Sequence, residues 1–335
     1  MNLYHGSGYF NIENVLLKEY PFNFIVGGRG TGKTFGALKY AVESERKFMF
    51  MRRTQSQIDL IAKPEFSPFK SLNDMFGWNI TVSPITKYNA GFYMGEDSKL
   101  IGYTCALSTV SNLRGFDASD VDLIIFDEFI PERHERPIKN EATALLNAYE
   151  TINRNRELQG RKPAQLLALA NANDLGNAVF LELGLVRIAE RMRMKGNELY
   201  SNKERGILMA ILQGSPISKD KKETALYKLS KGSEFDRMST ENTFELSDYG
   251  EVRGQKLSEY KPIVTIGELT IYAHKSNHTY YASTHASGSP VKYGAGETDK
   301  ARFRRSFGWL WLEYMRNRII FEEHLCEILF TKYNS

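Results

Sequence analysis

Residues Gly27-Gly28-Arg29-Gly30-Thr31-Gly32-Lys33-Thr34 fit the spacing G-x-x-x-x-G-K-[ST]. Glycines at these places let successive backbone N–H groups turn inward around phosphate oxygens. Lys33 is then placed to reach the β- and γ-phosphates of a nucleotide, and Thr34 to ligate Mg²⁺. A helix opening at this point adds its partial positive charge. A second run, Leu123-Ile124-Ile125-Phe126-Asp127-Glu128, is an apolar strand ending in two carboxylates. Asp127 suits the Mg²⁺ shell, and Glu128 suits a residue that orients or deprotonates an attacking water. The water-activating glutamate favours hydrolysis over transfer to a small-molecule acceptor. No N-K-x-D segment for guanine is found, so ATP is the expected nucleotide, with Mg²⁺.

Three further positions carry weaker signals. Asn171 follows the run LLALA (166–170), where a polar side chain at a strand's carboxyl end can sense the γ-phosphate. Arg154 and Arg156 end the stretch EATALLNAYETINRNRE, a place suited to an arginine supplied to a neighbouring subunit's ATP. Dipole stabilisation of a helix C-terminus explains arginines there equally well. Arg29, Arg52 and Arg53 face phosphates or make surface pairs, and sequence does not separate the two.

These groups need a scaffold. FNFIV (22–26) reads as a strand before the loop, FGALKYAVESE (35–45) as a helix after it, and KFMFMRR (47–53) as a second strand. Further strands are expected over 78–84, 91–96, 99–107, 121–128 and 164–172. The runs LIIF and LLALA are continuously apolar, as strands covered on both faces are, which points to a mostly parallel α/β sheet. The roughly 90 residues between Lys33 and Asp127 leave room for the ASCE-type arrangement, in which P-loop ATPases insert a strand between the two motifs.

The expected division is an ATPase domain over 1–190, a linker or lid over 191–240, rich in Lys, Arg, Gly and Ser, and a small α+β domain over 241–335. In the last, 261–274 and 278–286 form paired strands, a Gly-rich loop follows and 300–330 is helical.

The chain has 335 residues, 42% hydrophobic and 25% charged, which fits about two globular domains and excludes wholesale disorder. A net charge of +4 neither requires nor excludes nucleic acid. Two distant cysteines, Cys105 and Cys326, exclude a disulfide framework or a cysteine metal site and favour a reducing cytoplasm. The absence of a long apolar run or a charged-then-apolar leader predicts a chain that neither spans a membrane nor enters secretion.

Taken in order, GGRGTGKT, IIFDEFI (124–130), NEATALLNAYETINRNRE (140–157) and ALANA (168–172) make residues 20–185 resemble the genome-packaging motor ATPases of small protein-primed tailed phages, compact relatives of the terminase large subunit. The resemblance implies that Arg154 is a trans-acting finger, Glu128 the catalytic glutamate and Asn171 the γ-phosphate sensor. It also implies a homomeric ring, a pentamer, on the portal of a procapsid in the host cytoplasm, translocating double-stranded DNA, with a scaffold RNA as a further candidate partner.

Terminases carry an RNase H-like nuclease in the C-terminal half, which needs clustered carboxylates for two metals. Residues 260–300 offer only Glu268, Glu297 and Asp299, so a vestigial, non-cleaving RNase H-like module is expected. Candidate contacts to DNA phosphates are Lys219, Lys221 and Lys222, with Arg302, Arg304 and Arg305. A further basic cluster is Arg187, Arg191, Arg193 and Lys195. His274, His278 and His285 read as strand and turn histidines. The aromatics Phe303, Phe307, Trp309, Trp311 and Tyr314 read as core. A P-loop helicase or remodelling ATPase, and a regulatory nucleotide-binding protein, remain open at this level.

Overall fold

The computed structural model describes residues 2–113, 117–132, 135–233, 236, 251–285 and 288–334. The chain divides into two compact units, Met1–Glu245 and Leu246–Ser335.

Among the described residues the first unit carries nine strands: β1 (Phe22–Gly27), β2 (Phe48–Arg52), β3 (Ile80–Pro84), β4 (Ala90–Met94), β5 (Lys99–Ala106), β6 (Leu123–Asp127), β7 (Gln165–Ala170), β8 (Leu199–Asn202) and β9 (Ile207–Leu212). They form one sheet in the order β3-β4-β5-β2-β6-β7-β1-β9-β8. From β5 to β9 every neighbouring pair is parallel, while the edge pairings β3–β4, β4–β5 and β8–β9 are antiparallel. The strand after the phosphate loop's own is therefore not its neighbour: β7 lies between β1 and β6, as the ASCE-type reading anticipated. Strands β6, β7 and β9 are buried at every residue, which a sheet covered on both faces requires.

Its helices are α1 (Ile12–Leu16), α2 (Lys33–Glu43), α3 (Gln55–Ile61), α4 (Lys70–Phe76), α5 (Glu141–Asn153), α6 (Ala178–Glu182), α7 (Val186–Met194), α8 (Ile217–Lys222) and α9 (Ala225–Leu229). Helix α2 buries Ala37, Leu38 and Ala41 in one cluster with Ile25 of β1, Phe48 and Phe50 of β2 and Ile125 of β6. Small residues on that face let the helix after the phosphate loop lie close to the sheet. Helix α3 starts at a capping box: Thr54 Oγ1 accepts from Gln57 N–H, and the Gln57 side chain accepts from Thr54 N–H.

The first unit runs further than the sequence suggested. Residues 191–240, expected to be linker or lid, contribute β8 and β9 to the sheet, and β9 pairs directly with β1. The run ILMAIL obeys the same rule as LIIF and LLALA; the surrounding Lys- and Gly-rich turns masked it.

The second unit is α+β. Its strands are β10 (Glu251–Val252), β11 (Tyr260–Ile266), β12 (Leu269–His274), β13 (Tyr280–Ser283), β14 (Lys292–Tyr293) and β15 (Ile319–Phe321), in the order β10-β15-β13-β12-β11-β14. Helices α10 (Glu297–Phe307), α11 (Trp309–Met315) and α12 (His324–Asn334) accompany them. The meander β11–β12–β13 is antiparallel, and β14 and β15 join it parallel. Gly267, at φ +54° in the β11–β12 turn, has Tyr333 of α12 so close that a Cβ would lie 2.4 Å from its hydroxyl. Strand β15 interrupts the stretch expected to be helical over 300–330. Of the expected core aromatics, Phe303 and Tyr314 are buried, while Trp309 and Trp311 stay partly exposed.

One residue past β2, Arg53 is fully buried. Its Nε donates to Glu141 Oε1 at 2.6 Å, Nη2 to Glu141 Oε2 at 3.2 Å and Nη1 to Glu135 Oε2 at 3.0 Å. This bidentate pair joins the end of β2 to the first turn of α5. Removing the guanidinium leaves the buried Glu141 carboxylate uncompensated, so Arg53→Ala should cost about 3–5 kcal/mol. Urea unfolding followed by circular dichroism checks this; an unchanged midpoint would remove Arg53 from the scaffold.

Candidate nucleotide site

Parallel register sets the site. Val26 of β1 pairs with Ala170 of β7, Asp127 of β6 with Leu169 of β7, and Met51 of β2 with Phe126 of β6. The carboxyl ends of four strands thus deliver Gly27, Asn171, Asp127 and Arg52 to one edge. Residues 29–35, Asp127, Glu128, Ala170 and Asn171 line an open cleft of ≈ 360 Å³ there. It is the crevice at the carboxyl ends of parallel strands where α/β sheets bind ligands.

Gly32 precedes α2 at φ +86°, and a Cβ there would lie 3.1 Å from the Tyr9 ring, so both conformation and space call for glycine. Lys33 turns back into the loop. Its ammonium donates to the carbonyls of Gly27 at 2.9 Å and Gly28 at 2.7 Å, and lies 3.4 Å from Asn171 Oδ1. Burial pushes this ammonium down to about 7, against the attraction of Asp127, and the cations Lys221 and Arg29 lower it further.

Thr34 Oγ1 donates to Asp127 Oδ1 at 2.9 Å, joining two residues 93 positions apart. A hydroxyl and a buried carboxylate oxygen in contact at the mouth of the phosphate loop are the hard oxygen donors that suit Mg²⁺.

Glu128 adopts φ +57°, uncommon for a non-glycine residue, as the chain leaves β6. Burial raises its carboxyl above the usual range, opposed by Arg52. Arg52 ion-pairs with Glu128 and lies 3.4 Å from Asp127 Oδ2, so this arginine faces the two acids, unlike its neighbour Arg53. Arg29 ion-pairs with Glu132.

The two arginines after α5 separate cleanly. Arg156 is buried, donating to the carbonyls of Ser119 at 2.7 Å and Val121 at 2.6 Å and to Asp122 at 2.9 Å, and is a structural clamp. Arg154, at φ +47° just past the helix, keeps its side chain 47% exposed, 3.4 Å from Asp117.

Of the lysines expected on DNA, the side chain of Lys219 lies outside the described residues and Lys222 is exposed. Lys221 instead donates to the Arg29 carbonyl of the phosphate loop. In the second unit Arg302 pairs with Asp299 at 3.3 Å, Arg305 is exposed and Arg304 is half-buried. His285 pairs with Glu322 at 2.8 Å, whereas His274 Nδ1 accepts the N–H groups of Ser276 and Asn277. Arg52 and Lys221 are the site residues that sequence reasoning did not place: the first was one of three undifferentiated arginines, the second sat in a stretch read as linker.

Residues 4–286 match the family described as podovirus DNA encapsidation protein (Gp16). The chain belongs to that family. Relatives include the DNA packaging protein of Bacillus phage phi29, 28% identical over 243 residues, and that of Bacillus phage B103, 31% identical over 229 residues. The matches cover 71% and 66% of this chain; it spans 66% and 64% of those relatives' lengths. In fold, the chain is similar to a chain of the bacteriophage Phi-29 viral genome packaging motor assembly, with a TM-score of 0.69 at 20% identity over 97% of this chain and 99% of that one. It is also similar to the Phi-28 gp11 DNA packaging motor, at 0.62 and 19% over 97% of each chain. The resemblance drawn from the motifs is thus met at the level of family and fold.

Because burial holds the Lys33 ammonium down to about 7, phosphates bound in the cleft would restore its charge. A group that binds a proton on complex formation makes affinity fall with pH above its free value. Between pH 7.5 and 9, where the phosphates are fully ionised, ADP affinity should drop by up to about tenfold per pH unit, with proton uptake on binding. Calorimetry in two buffers of different ionisation enthalpy measures both; a flat profile would contradict the buried, depressed Lys33.

Proposed function

We propose that the chain is an ATP-hydrolysing motor that drives double-stranded viral DNA into a procapsid. The observation that carries the ATPase reading is the Thr34–Asp127 contact at 2.9 Å with Glu128 adjacent at the strand end. Membership of the encapsidation family and the names of its relatives carry the packaging reading.

In this reading the backbone of Gly27, Gly28, Arg29, Gly30, Thr31 and Gly32 wraps the phosphates, and Lys33 leaves the Gly27 and Gly28 carbonyls for them. Mg²⁺, held by Thr34 and Asp127, neutralises phosphate charge when bound. Glu128, once released from Arg52, accepts a proton from water as the water oxygen attacks the γ-phosphorus and the bond to ADP breaks. Its raised carboxyl suits a base. Asn171, within reach of Lys33, senses the γ-phosphate. Arg154 of a neighbouring copy completes the site in a homomeric ring, pentameric as in the resemblance. Its exposure beyond α5 supports that role, and the clamp on Arg156 leaves it the better candidate of the two.

DNA phosphates are met by Lys222, Lys219, Arg302, Arg304 and Arg305, through sequence-independent contacts that sum over the ring. The ring docks transiently on the portal in the host cytoplasm, with a scaffold RNA as a possible adaptor.

The second unit acts as an RNase H-like module without cleavage. Asp299 Oδ2 accepts Gly294 N–H at 2.9 Å and Glu297 pairs with Lys300 at 2.7 Å, so both carboxylates serve the start of α10. Plasmid incubated with the protein and Mg²⁺ or Mn²⁺ should stay intact; specific cleavage lost in Asp299→Ala would overturn this.

Glu128→Gln should bind ATP within about threefold of wild type yet lose turnover by about 10²-fold or more. Arg154→Ala should also lose turnover, and mixing the two variants should restore part of the DNA-stimulated rate at interfaces holding one intact residue of each kind. An absence of recovery in the mixture would argue against a finger acting between subunits.

A further inference from the structure

Strand β9 is parallel to β1, with Gly27 paired to Leu212, so the chain leaving β9 must emerge beside the phosphate loop leaving β1. The segment that follows is anchored there. Ser215 Oγ donates to the Gly8 carbonyl at 2.8 Å, and Gly8 packs so tightly on Pro216 and Ile217 that a Cβ would lie 3.0 Å from Ile217 N. Two residues on, Phe10 N–H donates to the Thr31 carbonyl of the loop at 2.9 Å. Segments 8–10, 27–34 and 215–221 therefore form one packed assembly at the mouth of the cleft.

Within it, Lys221 reaches from α8 across the loop to the Arg29 carbonyl, and a Cβ on Gly30 would lie 2.5 Å from its Nζ. The partner it meets there is that neutral carbonyl. Ser218, one turn earlier on the same face of α8, buries a hydroxyl oxygen with no hydrogen-bond partner. Three cations, Arg29, Lys33 and Lys221, converge on the loop. The nearby carboxylates are engaged elsewhere: Asp127 by Thr34, Glu128 by Arg52 and Glu132 by Arg29. An ammonium resting on a neutral carbonyl beside two other cations is a binding group without its anion.

We infer that Lys221 is a further binding residue of the nucleotide site, supplied by the same chain, whose Nζ exchanges the Arg29 carbonyl for an oxygen of the terminal phosphate of ATP. The inference rests on the nucleotide reading of the cleft and deepens it. Residues 215–221 form a lid whose fit depends on the third phosphate, because the loop backbone already cradles the inner phosphates and Lys33 bridges outward from them. The same exchange withdraws Lys221 from the DNA-facing lysines. A contact of this kind is a charge-assisted hydrogen bond, and its loss reads as about a tenfold change in affinity.

The test measures equilibrium binding of ADP and of a non-hydrolysable ATP analogue to the full chain by calorimetry, with thermal melts as a check on folding. Lys221→Ala and Lys221→Gln should weaken the ATP analogue about tenfold and ADP less than about twofold. Lys221→Arg, which keeps the charge, should recover most of the loss. Equal weakening of both nucleotides, no weakening of either, or failure of Arg to rescue would overturn the inference while leaving the cleft's reading intact. Lys33→Ala is the reference arm: it should weaken both nucleotides strongly. Wild-type affinity in that variant would remove the nucleotide reading itself, and the lid with it.

Discussion

The site depends on the parallel register of β1, β7, β6 and β2. Parallel strands all expose their carboxyl ends at one edge, and the side-chain period of two means that a one-residue slip turns every residue to the other face. Pairing Val26 with Ala170 and Asp127 with Leu169 levels the phosphate loop, Asn171 and the two acids to within two residues. The Thr34–Asp127 hydrogen bond is a consequence of that levelling, since α2 is bound to the sheet through Ala37, Leu38 and Ala41 and cannot carry Thr34 elsewhere. A small core face on one helix and continuous apolar strands thus suffice to bring together residues 93 positions apart.

Much of this was legible because it is local. The loop motif states its own conformation through glycine, and LIIFDE and LLALANA announce strands buried on both faces with polar groups at their ends. What stayed hidden depended on partners distant in sequence. Arg52, Arg53, Arg154 and Arg156 are chemically identical, and only tertiary context makes one face the acids, two buried clamps and one exposed. ILMAIL is hidden for a different reason: its flanks, ELYSNKERG and QGSPISKDKKE, have the composition of exposed connections, which obscures a short uninterrupted apolar run between them. Placing that strand changed the meaning of the lysines after it.

Charge pairing within the cleft bears on how it would receive an anion. Lys33 rests on loop carbonyls, Arg52 on Glu128 and Arg29 on Glu132, so each of these charged groups is held by an internal partner. Such pairs are only weakly stabilising when half exposed, as Glu128 is. A polyanion that offers stronger, water-excluded contacts to the cations can therefore displace them at little cost. Under the proposed function, release of Glu128 would then follow binding rather than precede it, keeping that carboxylate occupied until phosphates arrive.

Consecutive residues at the end of β2 connect this exchange to the scaffold. Side chains alternate between the faces of a strand. Arg52 consequently meets Asp127 and Glu128, while Arg53 enters the interior to grip Glu135 and Glu141. Glu141 opens α5, and Arg154 lies just past that helix's end. The buried pair is the rigid joint, since an uncompensated charge there would be costly; the half-exposed pair is the adjustable one. The end of β2 thus joins a buried ion pair that holds the first turn of α5 to a half-exposed pair that faces the cleft, so the helix preceding the exposed arginine and the arginine on the two acids share one strand end.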